Sequence, residues 1–301
     1  MSGIAASWPG QERHEHGATM STVLPSRAPL MYRQNGAAAS LRRVRGLVRR
    51  HAYLLLKSWP RVVSMVYYPT VTMVLWAFVT IYLAPTNSFL RDAPGFFLGA
   101  VLLWDVLFRG QLGVSLTFIE EMYARNVGNL FVSPLRLYEL VAGQLTLSVV
   151  RALIGVGGAC LFAWILFRYS IFSLGLPLVA FFFNLLMFGW AIGLAVSAMI
   201  LRWGLGAEEL AWAAIFLFAP VSGVYYPIAV LPAVMQWIAW CLPSAYVFEG
   251  MRSVLLHGEF DWAMWWTGFA LNLLYVAIGC ALFAWAVAIA RRRGLLLQMG
   301  E

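Results

Sequence analysis

Residues 175–201 read GLPLVAFFFNLLMFGWAIGLAVSAMIL, a run that contains no charged side chain. A helix needs about 20 mostly apolar residues to cross the hydrocarbon core of a bilayer, and this run is longer than that. Its one amide, Asn184, can be satisfied by a hydrogen bond to a neighbouring helix. The stretch therefore predicts a membrane-spanning helix.

Five other stretches have the same character. Of the 301 residues, 62% are hydrophobic and only 11% are charged, whereas soluble domains carry about 25% charged residues. This composition excludes a water-soluble globular protein and a mostly disordered chain. We expect an all-α polytopic membrane protein with six transmembrane helices within 61–293, at about 62–84, 94–118, 140–167, 175–201, 209–231 and 262–290.

The segment 1–36 is polar and rich in Gly, Ser, Pro and Ala. It has no hydrophobic period, so we expect a disordered amino-terminal tail. Met1, Met20 and Met31 are alternative starts of the chain.

The next segment, 37–60, has an amphipathic pattern. Its apolar residues recur at helical steps of three and four, and arginines lie on another face. We expect a helix that lies in the cytoplasmic headgroup layer, and an extended lead-in to the first span is the alternative. The apolar stripe consists of Leu41, Val44, Val48, Ala52 and Leu55, and the basic face of Arg42, Arg45 and Arg49.

Prolines interrupt the fifth predicted span and the segment after it. Pro220, Pro227, Pro232 and Pro243 divide the chain between 209 and 256. Because a proline inside a helix removes a hydrogen bond, we expect 223–256 to form short re-entrant helices that enter from the outer face. A full span over 233–256 is the alternative, and it would move the carboxyl terminus to the other side.

The basic residues are distributed unevenly. With six spans and a cytoplasmic amino terminus, the segments on the inside hold most of the 21 lysines and arginines. Such a bias is typical of membrane proteins, whose cytoplasmic loops are enriched in Lys and Arg. The sequence therefore predicts that both termini, including the tail 294–301, are cytoplasmic. In a membrane protein this surplus orients the chain, so we expect no nucleic-acid partner.

The sequence lacks the residues that several kinds of functional site require. The single lysine, Lys57, has no glycine before it, so the chain contains no P-loop for ATP. The glycines at 155, 157 and 158 begin like a dinucleotide fingerprint, but Cys160 stands in the third glycine's place. We interpret these glycines as small residues for helix packing.

Cysteine and histidine also fail to indicate a site. Cys160, Cys241 and Cys280 are widely spaced in apolar runs, which favours small buried hydrophobes over a disulfide framework or a zinc site. The stretch 14–16 (His-Glu-His) lies in the polar tail, where a solvated segment is the simpler interpretation than a metal site. We therefore expect neither an enzyme nor a metal centre.

Three charged residues fall inside predicted spans. Asp105 and Arg109 are four residues apart in the second span, and Arg151 lies near the middle of the third. An isolated charge at the bilayer centre costs about 2.5–3.5 kcal/mol, so each charge needs a partner or water. Asp105 can pair with Arg109 along one helix or with Arg151 between helices, as a structural ion pair or as part of a transport pathway.

After the second span the chain reads EEMYAR at 120–125, then Ser133-Pro134-Leu135, then Glu139 and Gly143. This loop resembles the corresponding loop of ABC-2 type transporter permeases. In that family an acidic and basic stretch leads to Ser-Pro-Leu and then to an E-x-x-x-G, here Glu139 to Gly143. The resemblance implies that 119–137 is a coupling loop that docks on a separate ATPase subunit, while an ordinary solvated connector is the alternative. The residues implied in coupling are Glu120, Glu121, Arg125, Asn129, Leu130 and Pro134.

A second segment carries the same resemblance. The family typically shows a G-x-x-Y-P, a Leu-Pro about four residues later, another Pro and a terminal arginine. This sequence matches with Gly223, Tyr226, Pro227, Leu231, Pro232, Pro243, Glu249 and Arg252. The resemblance extends from about Leu41 to Arg293 and implies re-entrant helices near the outer ends of the last two spans.

The resemblance also implies a function. The chain would be the permease subunit of an ABC exporter in the bacterial cytoplasmic membrane, paired as a homodimer or heterodimer. ATP and magnesium would be bound by the partner ATPase, and this chain would hold no cofactor. The cargo would be a lipid, an amphipathic small molecule or a polysaccharide.

Two other classes remain as alternatives. An ion-gradient-driven secondary transporter needs broken helices in matching halves and carboxylates at the midplane. Only Asp105 meets the second condition, and the two halves of the sequence do not look alike. A membrane-embedded enzyme is disfavoured because none of the four histidines falls in a predicted span.

Overall fold

The structure is a computed structural model that describes residues 36–85, 95–133 and 135–292. Within these residues the chain forms ten α-helices joined by short turns, and no β-strand. The predicted tails 1–36 and 294–301 lie outside the described residues except for Gly36. The helices are α1 Ala37–Lys57, α2 Trp59–Leu83, α3 Phe96–Tyr123, α4 Val127–Val132, α5 Leu137–Phe167, α6 Leu176–Trp203, α7 Glu208–Phe218, α8 Ala233–Trp240, α9 Pro243–His257 and α10 Trp262–Arg292.

Five of these helices are long and apolar enough to cross a membrane. They are α2, α3, α5, α6 and α10, and they agree with five of the six predicted spans. The all-α membrane architecture is therefore confirmed. The remaining predicted span, the fifth along the chain at 209–231, is not one continuous helix in the structure.

The break in the predicted fifth span has a local cause. Helix α7 ends at Phe218, a 3-10 turn with Pro220 follows, and Gly223 adopts a positive φ of 69°. Only glycine takes this conformation without strain, so the chain turns where a span would continue. With 11 residues, α7 rises only about 16 Å, roughly half the thickness of the hydrocarbon core.

The segment after this turn is also divided. A 3-10 turn over Ile228–Val230 and Pro232 precede α8, and Pro243 opens α9 at its first position. The turn between α8 and α9 lies beside α10, because the Tyr275 hydroxyl donates to the Cys241 carbonyl at 3.2 Å. No single helix covers 233–256, so the alternative of a continuous span there is wrong.

Helix α3 lies at the centre of the bundle and is the most completely buried of the long helices. Helix α6 approaches it most closely at Gly189 and Gly193, where a Cβ on Gly189 would lie 2.6 Å from the Leu107 carbonyl oxygen. Small residues at four-residue spacing permit this close packing of backbones in a membrane. Of the three glycines at 155, 157 and 158, the first and last also lie at helix contacts, against Arg109 and Val66.

Helix α3 begins at one end of the bundle and finishes at the other. We call these the Phe96 end and the Tyr123 end. Helix α1 lies at the Tyr123 end, where it contacts the beginning of α5. Tyr169, the second residue after α5, packs against Gly95 at the Phe96 end. Glu208, at the start of α7, accepts a hydrogen bond from the Tyr123 hydroxyl and so lies at the Tyr123 end.

Helix α1 ends at Lys57 rather than at 60, because Trp59 and Pro60 open the next helix. Its buried residues overlap the predicted apolar stripe only at Leu55. They include Leu47, His51 and Leu55, whereas Leu41 is 69% exposed. Packing against α5 therefore selects a face about a quarter-turn away from the most apolar one.

The three cysteines are free, but they are not the buried hydrophobes that their sequence context predicts. Cys160 and Cys280 are half-buried, and Cys241 is exposed at the turn after α8. Lipid is as apolar as the protein core, so an apolar side chain is stable on either side of a membrane helix. Hydrophobic neighbours in the sequence therefore do not imply burial in the protein.

Candidate functional site

The predicted coupling residues lie on three different structural elements. Glu120 and Glu121 belong to the last turn of α3, Arg125 has a positive φ of 51° in the connector, and Asn129 is exposed on the six-residue helix α4. Leu130 is buried in the bundle core, and Pro134 lies outside the described residues. The structure therefore does not arrange them as one polar docking face.

Glu121 is buried and its carboxylate is fully engaged within the chain. Arg50 donates to both of its oxygens at 2.7 and 3.1 Å, and Asn126 Nδ2 donates at 2.6 Å. The His51 Nε2 lies 3.0 Å from Oε1. Glu121 therefore joins α1 to the connector between α3 and α4 instead of presenting its carboxylate at the surface.

Glu120 binds arginines from two other helices. Arg151 Nη2 donates to one oxygen at 2.9 Å, and Arg61 Nη1 donates to the other at 3.4 Å. Arg151 comes from within α5, so its side chain is directed toward the Tyr123 end to reach this carboxylate. Arg151 thus pairs with Glu120, and the alternative pairing of Asp105 with Arg151 is not formed.

Glu139 fixes the beginning of α5 to α1. Its carboxylate accepts two hydrogen bonds from Arg43, at 2.6 and 2.9 Å, and a third from the Arg136 backbone at 2.9 Å. The bond to Glu139 raises the pKa of Arg43 above its usual value. The first turn of α5 leaves backbone N–H groups unpaired, and a carboxylate at this position satisfies one of them.

Asp105 and Arg109 form an ion pair along α3. The Arg109 Nε lies 2.5 Å from Asp105 Oδ2, and the two side chains are 11% and 13% exposed. The guanidinium group packs against Gly155 of α5 so closely that a Cβ at that position would overlap it. Gly155 therefore leaves room for Arg109. In the part of the chain that the structure describes, this is the only arginine within salt-bridge distance of Asp105.

One stripe of α3 remains partly exposed along the bundle. Its residues recur at helical steps, and their neighbours belong to α2, α5 and α7. Phe108 contacts Trp212 and Phe216 of α7, while Glu120 contacts Arg61 of α2. We call this feature the α3 groove, with a floor formed by Phe97, Asp105, Phe108, Arg109, Leu116 and Glu120.

Three aromatic rings close the α3 groove at the Phe96 end. The Trp76 ring stacks on Tyr225 with centroids 4.6 Å apart, and on Phe97 at 5.4 Å. Tyr225 belongs to the turn that follows α7, so the stack joins α2 to that turn across the groove. We call it the aromatic stack.

The turn around Gly223 is held by side chains of α9. Arg252 donates to the Gly223 carbonyl at 3.1 Å, and Glu249 accepts from the Ile228 backbone at 2.8 Å. These two side chains pair at 2.6 Å, and the Arg252 guanidinium lies 5.0 Å from the centre of the Phe96 ring. The structure thus brings together Gly223, Glu249 and Arg252 from the predicted re-entrant motif.

The other members of that motif shape the backbone. The Tyr226 hydroxyl donates to the Pro220 carbonyl at 2.6 Å and stabilises the turn. Pro227 precedes a 3-10 turn, and Leu231 lies between this turn and Pro232. Pro232 directly precedes α8, and Pro243 is the first residue of α9. At the start of a helix the missing N–H of proline has no cost, because it would have no partner within the helix.

Sequence reasoning missed the partners of the two carboxylates at the Tyr123 end. Arg43, Leu47 and His51 recur every four residues on α1, which is a signal for one shared face. No sequence period could assign Glu121 or Glu139 to that face, because the pairs join residues 71 and 96 positions apart. The aromatic stack had no sequence signal at all.

A small exposed surface remains on α4. Val132 is 87% exposed, and Asn129 is exposed on the same short helix. Leu130, the predicted apolar anchor, faces inward instead. In the residues that the structure describes, no group of three or more His, Cys, Asp or Glu side chains is placed to hold a metal ion.

A family model described as ABC-2 type transporter matches residues 42–256, which is more than two thirds of the chain. No curated protein matches it.

Proposed function

This chain belongs to the ABC-2 type transporter family and is an integral membrane protein, and from that premise we propose that it is the permease subunit of an ABC exporter. A separate ATPase subunit would bind ATP and magnesium, and a second permease copy, identical or related, would complete the pathway. The match over 42–256 is the observation that supports this proposal best.

We propose that α4 is the coupling helix. It lies at the Tyr123 end, and its exposed Val132 can supply the apolar contact that a docking helix requires. The Asn126 backbone donates to the Glu121 carbonyl at 3.0 Å, in addition to the side-chain bond. A displacement of α4 would therefore act on α1 and α3 together.

The six-crossing topology remains our proposal, with a broken fifth crossing. Glu208 lies beside Tyr123, the middle of α7 contacts Phe108, and Tyr225 stacks on Trp76 at the Phe96 end. These contacts support a segment that runs from one end of the bundle to the other although no continuous helix covers it. Such an irregular crossing is tolerable where its backbone is buried in protein or lines a cavity.

The same contacts support the re-entrant arrangement of α8 and α9. Arg252 lies by Phe96, while the turn at Cys241 lies beside Tyr275, well inside α10. The hairpin would then enter from the Phe96 end and return to it. Arg61, Arg136 and Arg202 lie at the Tyr123 end, which supports a cytoplasmic position for that end.

We propose that the α3 groove, completed by a second copy, forms part of the translocation pathway. It carries an ion pair at mid-depth and aromatic rings along one wall, so it offers both polar and apolar contacts. ATP binding would close the ATPase pair, and the motion of α4 would be transmitted through α3 to the aromatic stack. A lipid, an amphipathic small molecule or a polysaccharide fits this surface as cargo.

The charge pairing disfavours a secondary transporter. Such a protein needs a carboxylate that binds and releases a proton or a cation during transport. Here Asp105, Glu120, Glu121 and Glu139 each lie within salt-bridge distance of an arginine.

The test is co-purification of the full chain with a P-loop ATPase, followed by an ATPase assay in lipid. Val132→Asp should abolish association, because it places a charge in the apolar contact of α4. The matched control is Val230→Asp, which changes a valine 71% exposed near the opposite end and should leave association intact. Equal ATPase recovery with both variants would refute the coupling role of α4.

A further inference from the structure

The arginines of α1 fall into two structural groups. Arg43 and Arg50 are directed toward the bundle, where they bind Glu139 and Glu121. Arg45 and Arg49 are exposed, and no carboxylate in the described part of the chain lies within salt-bridge distance of either. The first pair stabilises the fold, so the second pair is free to bind something outside the chain.

The exposed arginines belong to a mixed stripe of α1. Leu41, Arg45, Arg49 and Tyr53 are four residues apart, and Leu56 follows after three, so all five share one side of the helix. Leu41, Tyr53 and Leu56 are at least 66% exposed. We call this set the outer stripe of α1.

This composition fits one environment better than the others. In water the large apolar side chains would stay hydrated. In the hydrocarbon core the two guanidinium groups would have neither water nor a counter-charge. The headgroup layer of a membrane accommodates both, since arginine can reach phosphate while its neighbours contact acyl chains. The segment 36–60 contains no acidic residue, so nothing on α1 itself competes for the arginines.

The position of α1 favours a lipid over a protein as the occupant. The helix ends at Lys57, and the first membrane-spanning helix begins at Trp59. The bonds to Glu121 and Glu139 hold α1 against the ends of α3 and α5, which span the membrane as well. The outer stripe is therefore held at the level where lipid headgroups lie.

We propose that the outer stripe is a binding site for anionic phospholipid headgroups, held by Arg45 and Arg49. This inference rests on the proposed interfacial position of α1 and not on the identity of the cargo. Because α1 is tied through Glu121 to Asn126, bound lipid also stabilises the connector that carries α4.

The test is native mass spectrometry of the purified full chain, without any ATPase, titrated with phosphatidylglycerol or with phosphatidylcholine. The wild type should bind phosphatidylglycerol preferentially, and this preference should decrease with added salt. One basic side chain near an anionic surface changes a binding constant by about fivefold, so Arg45→Gln with Arg49→Gln should reduce the preference by about 25-fold.

Two controls make the result specific. Arg45→Lys with Arg49→Lys keeps both charges and should retain most of the preference. Arg168→Gln removes an exposed arginine at the Phe96 end and should leave the preference unchanged. If the double glutamine variant does not fold, as judged by its melting temperature, the two single variants should each show about a fivefold loss.

Two outcomes would overturn the proposal. One is a double glutamine variant that keeps the wild-type preference for phosphatidylglycerol. The other is a variant that binds lipid normally but no longer co-purifies with the ATPase, which would identify the outer stripe as a protein-docking surface. Since the lipid titration contains no ATPase, a failure of the proposed transport function would leave its result unchanged.

Discussion

Asp105 places a carboxylate in the middle of α3, between residues that are almost all apolar. Its pairing with Arg109 four residues later requires no second helix, but the position of the guanidinium group requires Gly155 of α5. A buried charge that loses its partner costs more than a pair replaced as a whole. The pair is therefore a unit whose two members should be changed together.

We predict that Asp105→Asn destabilises the protein by about 3 kcal/mol, because it leaves Arg109 without a counter-charge. Adding Arg109→Leu should recover a large part of this loss. The measurement is thermal unfolding of the single and double variants in lipid nanodiscs, evaluated as a double-mutant cycle. Simple additivity of the two changes would contradict the ion pair.

At the scale of elements, α2 and the turn that follows α7 are connected across the α3 groove by the aromatic stack. The Trp76 and Tyr225 rings lie nearly parallel, at an interplanar angle of 13°, and each belongs to a different side of the groove. Stacked aromatic pairs contribute about 0.5–1.5 kcal/mol beyond the area that they bury. Such a contact is weak enough to break during a transport cycle, so the aromatic stack is suited to open and close the groove.

We predict that a disulfide between Trp76→Cys and Tyr225→Cys blocks export. The bond would hold the groove closed at the Phe96 end, while ATP binding by the partner would continue. Transport by the assembled complex should be lost on oxidation and recovered on reduction. Each single cysteine variant is the control and should be insensitive to oxidation; transport by the oxidised double variant would exclude the groove as the pathway.

At the scale of the whole molecule, most of the ion pairs lie at the Tyr123 end of the bundle, which we call the charged end. At this end Glu120, Glu121 and Glu139 bind arginines of α1, α2 and α5. The Asp105–Arg109 pair lies within α3, and the Glu249–Arg252 pair lies at the Phe96 end. Helices α6 and α10 are joined instead by apolar packing and by a buried contact between Asn184 and Asn272. The proposed ATPase contact and the lipid site both lie at the charged end.

We predict that reporter fusions after Arg293 and within 119–137 report the cytoplasm. Fusions near 88–92 and 168–174 should report the outside, because the excess of basic residues holds the Tyr123 end inside. Paired enzymatic reporters that are active on opposite sides of the membrane provide the measurement. A carboxyl terminus on the outside would refute the six-crossing topology.

The spans and the family could be predicted from the sequence because both depend on local information. A charge-free run such as 175–201 has no stable alternative to a helix in a bilayer, since every backbone group must be paired within the segment. The motif from Gly223 to Arg252 was recognisable for a similar reason. Its glycine and prolines restrict or permit backbone conformations at their own positions, so the sequence alone shows where the chain turns.

The burial of Glu121 and Leu130 could not be predicted from the sequence, for one physical reason. Burial in a membrane protein depends on which side of a helix meets another helix, and lipid is as apolar as the core. Leu130 and Val132 are both apolar, yet one is buried and the other is 87% exposed. Only the packing of the short helix distinguishes them.

The amino-acid sequence by itself determined that this chain is a helical membrane protein and where its long helices lie, because hydrophobic length and proline positions act locally. The tertiary structure decided which charges meet. Arg50 reaches Glu121 across 71 residues, and Arg151 reaches Glu120 rather than Asp105. Such partners depend on the approach of separate helices, and this approach is set by side-chain packing over the whole bundle.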